Sequence, residues 1–312
     1  MPGSLVIGLS AVTIAIQDGQ AVVLTVRPEG RDGLFGLPFG PFDPQGHRTF
    51  ELALRAFVNE QTGFDLGYVE QLYTFGDKGR DAPLADVGAG SARVISVGYL
   101  ALAPRAVAMT TPDTAWTPWT RFFPWEDWRS GRPPLLEAVI APALTLWADR
   151  SEEKLSRARL LFALDGGRWN EERVLERYEL LYEAGLVQEA ARDRGQPAGC
   201  VLGEAMISDH RRILATGLGR LRGKLRYRPV VFELTPAEFT LSALQRNVET
   251  IAGIALHKQN FRRGLERTEL VEGLGRLDAG TGGRPAELFR YRREQAALGP
   301  TGGLALPLLR DT

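Results

Sequence analysis

The sequence predicts an α/β sandwich, then a helical block, then a C-terminal helix–turn–helix unit closed by a β-ribbon. Three observations carry that expectation. In the first third, apolar runs with strand character flank one segment of helical period. The middle third is charged and helical in its spacing. The last third sets two short amphipathic segments before a basic, glycine-rich ribbon.

The elements follow in order. Ser4 to Ile16 and Ala21 to Val26 are rich in Val, Ile and Leu, and Gln17-Asp18-Gly19-Gln20 between them reads as a hairpin turn. A Gly- and Pro-studded loop runs from Glu29 to Gly46. From Thr49 to Gln61 the spacing turns helical, with Phe50, Leu54, Phe57 and Val58 on one face, Thr49 as N-cap and Gly63 as the stop. Tyr68 to Phe75 and Ala92 to Leu102 read as strands joined by a polar loop. The order strand, strand, loop, helix, strand, strand points to an α/β sandwich and away from a doubly wound parallel sheet.

Trp116, Trp119, Trp125 and Trp128 are four of the six tryptophans. With no cations interleaved among them, packing is a better account than base stacking. Helices are expected from Pro133-Pro134 toward Trp147, from Ser151 toward Leu164, and from Glu171 to Ala184 with Asn170 as cap and Gly185 as stop. Arg192 to Gly199 reads as a loop. Ser208 or Asp209 then caps an amphipathic helix through Leu221 that Gly223 breaks, and Pro229 to Leu234 reads as a short strand. Thr240 caps a helix to Ala252, a second helix runs from about His257 to Leu265, and strands at Leu270–Leu277 and Glu287–Tyr291 form the ribbon. That order is the order of a winged helix.

Composition narrows the function classes. Apolar residues make up 44% and charged residues 24% of 312, an ordinary globular balance with room for two domains. No run approaches the roughly 20 apolar residues of a membrane helix. Met1-Pro2-Gly3-Ser4 lacks a basic n-region, so the expected compartment is the reducing cytoplasm. One cysteine, Cys200, and three histidines exclude an internal disulfide and argue against a cysteine- or histidine-built metal site. The net charge is zero, yet residues 206–293 hold 17 Lys+Arg against 9 Asp+Glu, so the rest carries the matching deficit. An acidic body with a basic end suits a nucleic-acid reader.

The helix His257 to Leu265 can anchor Phe261 and Leu265 in the core, leaving Lys258, Gln259, Asn260, Arg262 and Arg263 outward. Gln or Asn can pair bidentately with adenine and Arg with guanine, while Lys and Arg also neutralise phosphate. Arg284 sits where a wing tip would touch phosphate or the minor groove, and Arg290, Arg292 and Arg293 extend the expected positive surface. A solvated basic helix used for protein contacts is the plain alternative.

Leu37 to Pro44, followed by the helix ending Asn59-Glu60-Gln61-Thr62-Gly63-Phe64, resembles the Nudix hydrolase signature. In that family several carboxylates on the helix hold divalent metal against a diphosphate. Anchored at Gly63-Phe64, this chain keeps Glu60 but has Gln61, Phe57, Ala56 and Arg48 at the other signature positions. Sliding by one residue recovers Arg55 and puts Ala56 at a carboxylate position. Both registers lose the metal cluster, so no catalytic residue, metal or cofactor is expected.

Taken together, Tyr68 to Asp77, Gly79-Arg80-Asp81, Arg220 to Leu225, Phe239 to Arg263 and Gly282 to Pro285 make the chain similar to the Nudix-related transcriptional regulators of NAD metabolism. The likeness covers residues 4–130 and 206–293, while the helical stretch of roughly 135–205 departs from shorter members. It implies a Nudix-like sensor over 1–150, a helical insert over 151–205, a linker helix with winged-helix domain over 206–296, and a tail over 297–312. It also implies a homodimer on double-stranded operator DNA, repressing NAD synthesis or salvage genes until ADP-ribose or an NAD-related nucleotide binds. The effector pocket is expected beside the signature helix near Phe39, Glu60 and Arg80, with Arg80 gripping the diphosphate. Two other functions compete: a Nudix pyrophosphatase with atypical metal ligands, and a scaffold that binds proteins through the insert. Glu51 and Glu60, nine apart, share a helix face poorly, which weakens the first. No motif supports the second.

Overall fold

The computed structural model describes residues 5–30, 33–77, 93–109, 111–197, 199–278 and 285–293. Strands β1 (Leu5–Gln17) and β2 (Gln20–Val26) form the expected hairpin through left-handed Asp18 and Gly19. Short β3 (Phe39–Pro41) pairs antiparallel with β1, placing Gly40 opposite Leu9. After helix α1 (Phe50–Thr62) come β4 (Tyr68–Phe75), β5 (Arg93–Leu102) and β6 (Thr114–Pro118). The sheet runs β4-β5-β1-β2-β6, with β1 and β5 parallel and the other pairs antiparallel. Thr49 caps α1 by accepting from the Leu52 amide, and Gly63 ends it in the left-handed region.

Strand periodicity sends alternate residues to opposite faces of this sheet. Leu9, Ala11, Val97, Tyr99 and Ala101 meet Ala53, Leu54 and Val58 of α1. Val12, Ile14, Val23, Leu100 and Leu102 join the larger core on the other face. Helix α6 (His210–Lys224) contributes Ile213, Leu214 and Leu218 to that core. The helix that the sequence grouped with the C-terminal domain therefore also closes the second face of the six-stranded sheet.

The middle block consists of a π turn (Leu136–Ile140) leading into α2 (Ala141–Ala148), then α3 (Glu152–Phe162), α4 (Val174–Glu183) and α5 (Gln188–Asp193). Ser151 caps α3 as expected. Asn170 does accept from the Glu172 amide, but α4 starts only at Val174. Arg192, where a loop was expected to begin, still lies within α5. Neither Ser208 nor Asp209 caps α6 through its side chain; Asp209 pairs with Arg212, and the helix continues past Gly223 to Lys224. Trp119 and Trp125 are buried and Trp128 stacks on Trp169 at 4.4 Å, so these rings pack.

The C-terminal unit starts with a 3-10 turn at Val230–Leu234, where the sequence suggested a strand. Val230, Val231 and Phe232 are buried consecutively, and a strand with one wet face would bury only alternate residues. Strand β7 (Glu238–Thr240), helices α7 (Leu241–Ala252) and α8 (Lys258–Glu266), and strands β8 (Val271–Asp278) and β9 (Ala286–Tyr291) follow, with sheet order β7-β9-β8. Thr240 caps α7 through the Ala243 amide. Among the described residues no helix is long and apolar enough to cross a membrane.

Gly253 ends α7 at φ 71° where its backbone meets that of residues 126–128. A Cβ there would lie 2.4 Å from the Glu126 carbonyl, and the Trp128 amide already donates to the Gly253 carbonyl at 2.6 Å. Gly253→Ala is expected to cost at least about 1–2 kcal/mol from the left-handed conformation alone, with the clash adding to it. Urea unfolding checks this; a midpoint equal to wild type would contradict it.

Candidate nucleic-acid interface and sensor cleft

Helix α8 divides cleanly between core and solvent. Phe261, Gly264 and Leu265 are buried, whereas Lys258, Gln259, Asn260, Arg262 and Arg263 are exposed. None of these five side chains has a hydrogen bond or ion pair among the described residues. His257 stands at the N-cap in extended conformation without a capping side-chain bond, so the first-turn amides remain available. The turn leading into α8 is fixed from α7. Gln245 donates to the Leu256 carbonyl at 3.0 Å, and Glu249 accepts from the Leu256 amide at 2.9 Å. A rigid helix with an uncommitted polar and basic face can read base edges and neutralise phosphate.

The ribbon contributes less positive charge than its sequence suggested. Arg290 and Arg292 both pair with Glu272, and Arg293 pairs with Glu233 at 3.2 Å. The two arginines beside Glu272 hold its carboxyl below the usual range. Arg284 lies outside the described residues. The linker helix is similarly self-neutralised. Arg211 and Arg222 are fully buried, on Glu189 and Glu126, while Arg212, Lys224 and Arg226 meet Asp77 and Glu179, Glu70, and Glu171 and Glu172. Much of the basic surplus of residues 206–293 thus faces the acidic body of the same chain. On α8 itself Lys258, Arg262 and Arg263 stay exposed and uncommitted among the described residues.

The signature helix α1 presents a different chemistry from a metal site. Glu51 pairs with Arg55 at 2.8 Å, and Arg55 also donates to the Gly67 carbonyl at 3.1 Å. Gln61 is spent on the Phe39 backbone, accepting from its amide at 3.1 Å and donating to its carbonyl. The Phe57 ring lies against Gly40, where a Cβ would come within 2.7 Å of it, and His47 packs edge-on to the same ring at 5.3 Å. Glu60 is exposed. Among the described residues no three His, Cys, Asp or Glu side chains gather to hold a metal ion. This donor set does not fit the divalent metal of a Nudix hydrolase, which needs several converging carboxylates.

Of the residues expected to form the effector site, Phe39 is held through its backbone by Gln61 of α1, and Glu60 is exposed on the same helix. Phe39 turns its ring toward His210 of α6, with centroids 4.9 Å apart, whereas Gly40 faces Phe57 of α1. The Phe39 ring therefore lies on the α6 face, while its backbone stays within hydrogen-bond reach of α1. Arg80 is outside the described residues. His210, fully buried and accepting from the Leu37 amide at 2.9 Å, had no sequence signal beyond its position at a helix start.

Comparison with known proteins ties these features together. Residues 231–291, from the 3-10 turn to the end of β9, match the family model of the NrtR DNA-binding winged helix domain. The C-terminal unit is similar to the NrtR winged helix. A curated relative, the ADPR responsive transcriptional repressor NtrR of Acinetobacter baylyi, is 37% identical over 83 residues, 27% of this chain and 33% of the relative. The aligned stretch thus spans about a third of that relative's length. Among solved structures, Shewanella oneidensis NrtR complexed with a 27mer DNA aligns at TM-score 0.55 and 20% identity, covering 93% of this chain and 95% of that one. A MutT/nudix family protein from Enterococcus faecalis aligns at TM-score 0.53 and 14% identity, covering 94% and 88%. At these identities the likeness is one of fold: an α/β Nudix-like sandwich with a winged helix at its C-terminal end.

Proposed function

We propose that this chain is a cytoplasmic transcriptional regulator, a repressor of NAD synthesis or salvage genes. On this reading it binds palindromic operator DNA as a homodimer and releases it when ADP-ribose or a related nucleotide binds. The observation that carries the proposal is the uncommitted face of Lys258, Gln259, Asn260, Arg262 and Arg263, held outward on α8 of an NrtR-type winged helix. The ADP-ribose response of the Acinetobacter relative supports the effector. A symmetric pair of readers suits a two-fold operator and reaches an interface size that one module lacks. The test is a mobility shift against the DNA upstream of the protein's own operon, with light scattering of the complex. A shifted complex of two chains, dissolved by ADP-ribose, is the expected result; no shift at low salt sinks the proposal.

The Nudix-like unit is proposed to bind its nucleotide without cleaving it, because Phe57 and Gln61 stand where metal-holding carboxylates are required. Purified protein with excess magnesium or manganese is expected to release no AMP from ADP-ribose and to leave NAD and NADH intact. Sustained turnover that Glu60→Ala abolishes would establish the competing pyrophosphatase reading.

A further inference from the structure

Arg129 stands where the six-stranded sheet meets the winged helix. Asp127 holds its guanidinium from one side, accepting from Nε at 2.9 Å and from Nη2 at 2.8 Å. Nη1 then points across the join, donating to the Gly19 carbonyl at 2.7 Å and to the Thr250 hydroxyl at 2.9 Å. Thr250 closes the triangle by donating to the same Gly19 carbonyl at 3.2 Å. Gly19 is the turn between β1 and β2, and Thr250 lies in the last turn of α7. We infer that Arg129 is a positioning residue: with Thr250 it pins the reader to the β1–β2 hairpin and so sets the angle at which α8 meets DNA. The inference rests on the operator-binding homodimer of the proposed function and names the residues that orient its two readers.

The contacts form a continuous path from sheet to recognition helix. β1 pairs with β2, β3 and β5, so the hairpin turn extends the sheet itself. Thr250 is buried and the Arg129–Asp127 pair is half-buried, where hydrogen bonds to a charged group fix direction as well as adding strength. Burial acts against the Asp127 carboxylate, but Arg129 outweighs it and holds its titration below the usual range, so the pair stays charged near neutral pH. Glu249, the neighbour of Thr250, accepts from Gln245 and from the Leu256 amide, and Gln245 donates to the Leu256 carbonyl. The turn into α8 therefore moves with α7. The Trp128 amide, beside Arg129, donates to the Gly253 carbonyl and anchors the end of α7 once more.

Arg129 works inward, on protein groups, so what it adds to DNA binding is orientation. A two-fold reader must present two recognition helices at the spacing of its half-sites, one DNA turn or a multiple apart. A loose angle does no harm when one reader engages one half-site. It weakens binding when both must engage together, because each reader must first be brought into place.

Mobility-shift titrations of the full chain on three duplexes test this: the palindrome selected by wild type, the same duplex with one half scrambled, and the same with one base pair inserted between the halves. Wild type is expected to favour the intact palindrome over either altered duplex by about 10-fold or more. Arg129→Ala should bind the intact palindrome about 10-fold more weakly, with little further loss on the inserted base pair. On the half-scrambled duplex it should stay within about twofold of wild type. Thr250→Val, which leaves every charge in place, should show the same pattern at about 3-fold. Equal weakening on the intact and half-scrambled duplexes would mean damage to the fold or loss of a direct phosphate contact, and it overturns the positioning role. Wild-type affinity of both variants for the intact palindrome also overturns it. In either case the dimeric reading survives, provided that wild type still prefers the intact palindrome. If wild type binds intact and half-scrambled DNA alike, or binds neither, both readings fall.

Discussion

Changing Lys258, Gln259, Asn260, Arg262 and Arg263 together to alanine is expected to abolish operator binding while leaving the fold intact. The five side chains are exposed on α8 and carry no partner among the described residues, so alanine removes no internal contact. Alanine also suits an exposed helix better than asparagine does. The core contacts of α8 run through Phe261 and Leu265, which stay. Single changes should separate roles. Gln259→Ala or Asn260→Ala, in the first turn that enters the major groove in this architecture, should cost about 1–3 kcal/mol on operator and less on scrambled DNA. Lys258→Ala should weaken both DNAs alike and lower the salt slope by about one. Titrations against both DNAs at several salt concentrations resolve these cases. If the quintuple variant keeps wild-type affinity, α8 is not the reader.

A comparably large effect is expected at Glu126, which is fully buried with two fully buried arginines upon it. Arg177 of α4 meets it fork to fork, at 2.6 and 2.9 Å. Arg222 of α6 donates to its carboxylate and, at 3.0 Å, to its carbonyl, and also to the Ile251 carbonyl of α7 at 2.9 Å. One carboxylate thereby ties together the middle block, the linker helix and the reader. Glu126→Ala strands two buried cations, and losing one partner of such a pair costs about 3–5 kcal/mol. Denaturant unfolding should show that loss. Replacing Glu126, Arg177 and Arg222 together by Leu, Met and Met should recover most of it, because no charge is left to desolvate. A loss below about 1 kcal/mol for Glu126→Ala would contradict this account.

The pH dependence at Glu126 follows from the direction of its shift. Burial alone would raise its pKa, but Arg177 and Arg222 overcome burial and hold it below the ordinary 4.5. A carboxylate with a lower pKa folded than unfolded adds stability that is fully present above the unfolded value. That contribution is lost as pH falls through the lower, folded value. Wild-type stability should therefore hold near pH 5 and drop only in stronger acid, and the triple apolar variant should lack this part of the acid sensitivity.

Local sequence determined a good deal of this molecule. Strand alternation in Leu9 to Ile14, the Thr49, Ser151 and Thr240 caps and the Gly63 and Gly253 stops act within a few residues, where backbone sterics and single hydrogen bonds decide. The outward face of α8 was legible for the same reason, since Phe261 and Leu265 fix which side is buried. That Ala56, Phe57 and Gln61 supply no carboxylates to α1 could also be read directly.

Tertiary structure decided what depends on partners far along the chain. Val230 to Leu234 looks like a strand by its β-branched residues, yet it is a turn because its neighbours bury it on consecutive positions. Phe39 sits beside the signature loop, but pairing with β1 sends its ring to the α6 face. The arginines of α6 read as a DNA-facing surplus because residue counts carry no distances. Their acids lie 22 residues upstream at Glu189, and 96 upstream at Glu126. Such a pair matters most where the fold removes it from water, because there the attraction is screened least and an unpaired charge is costliest.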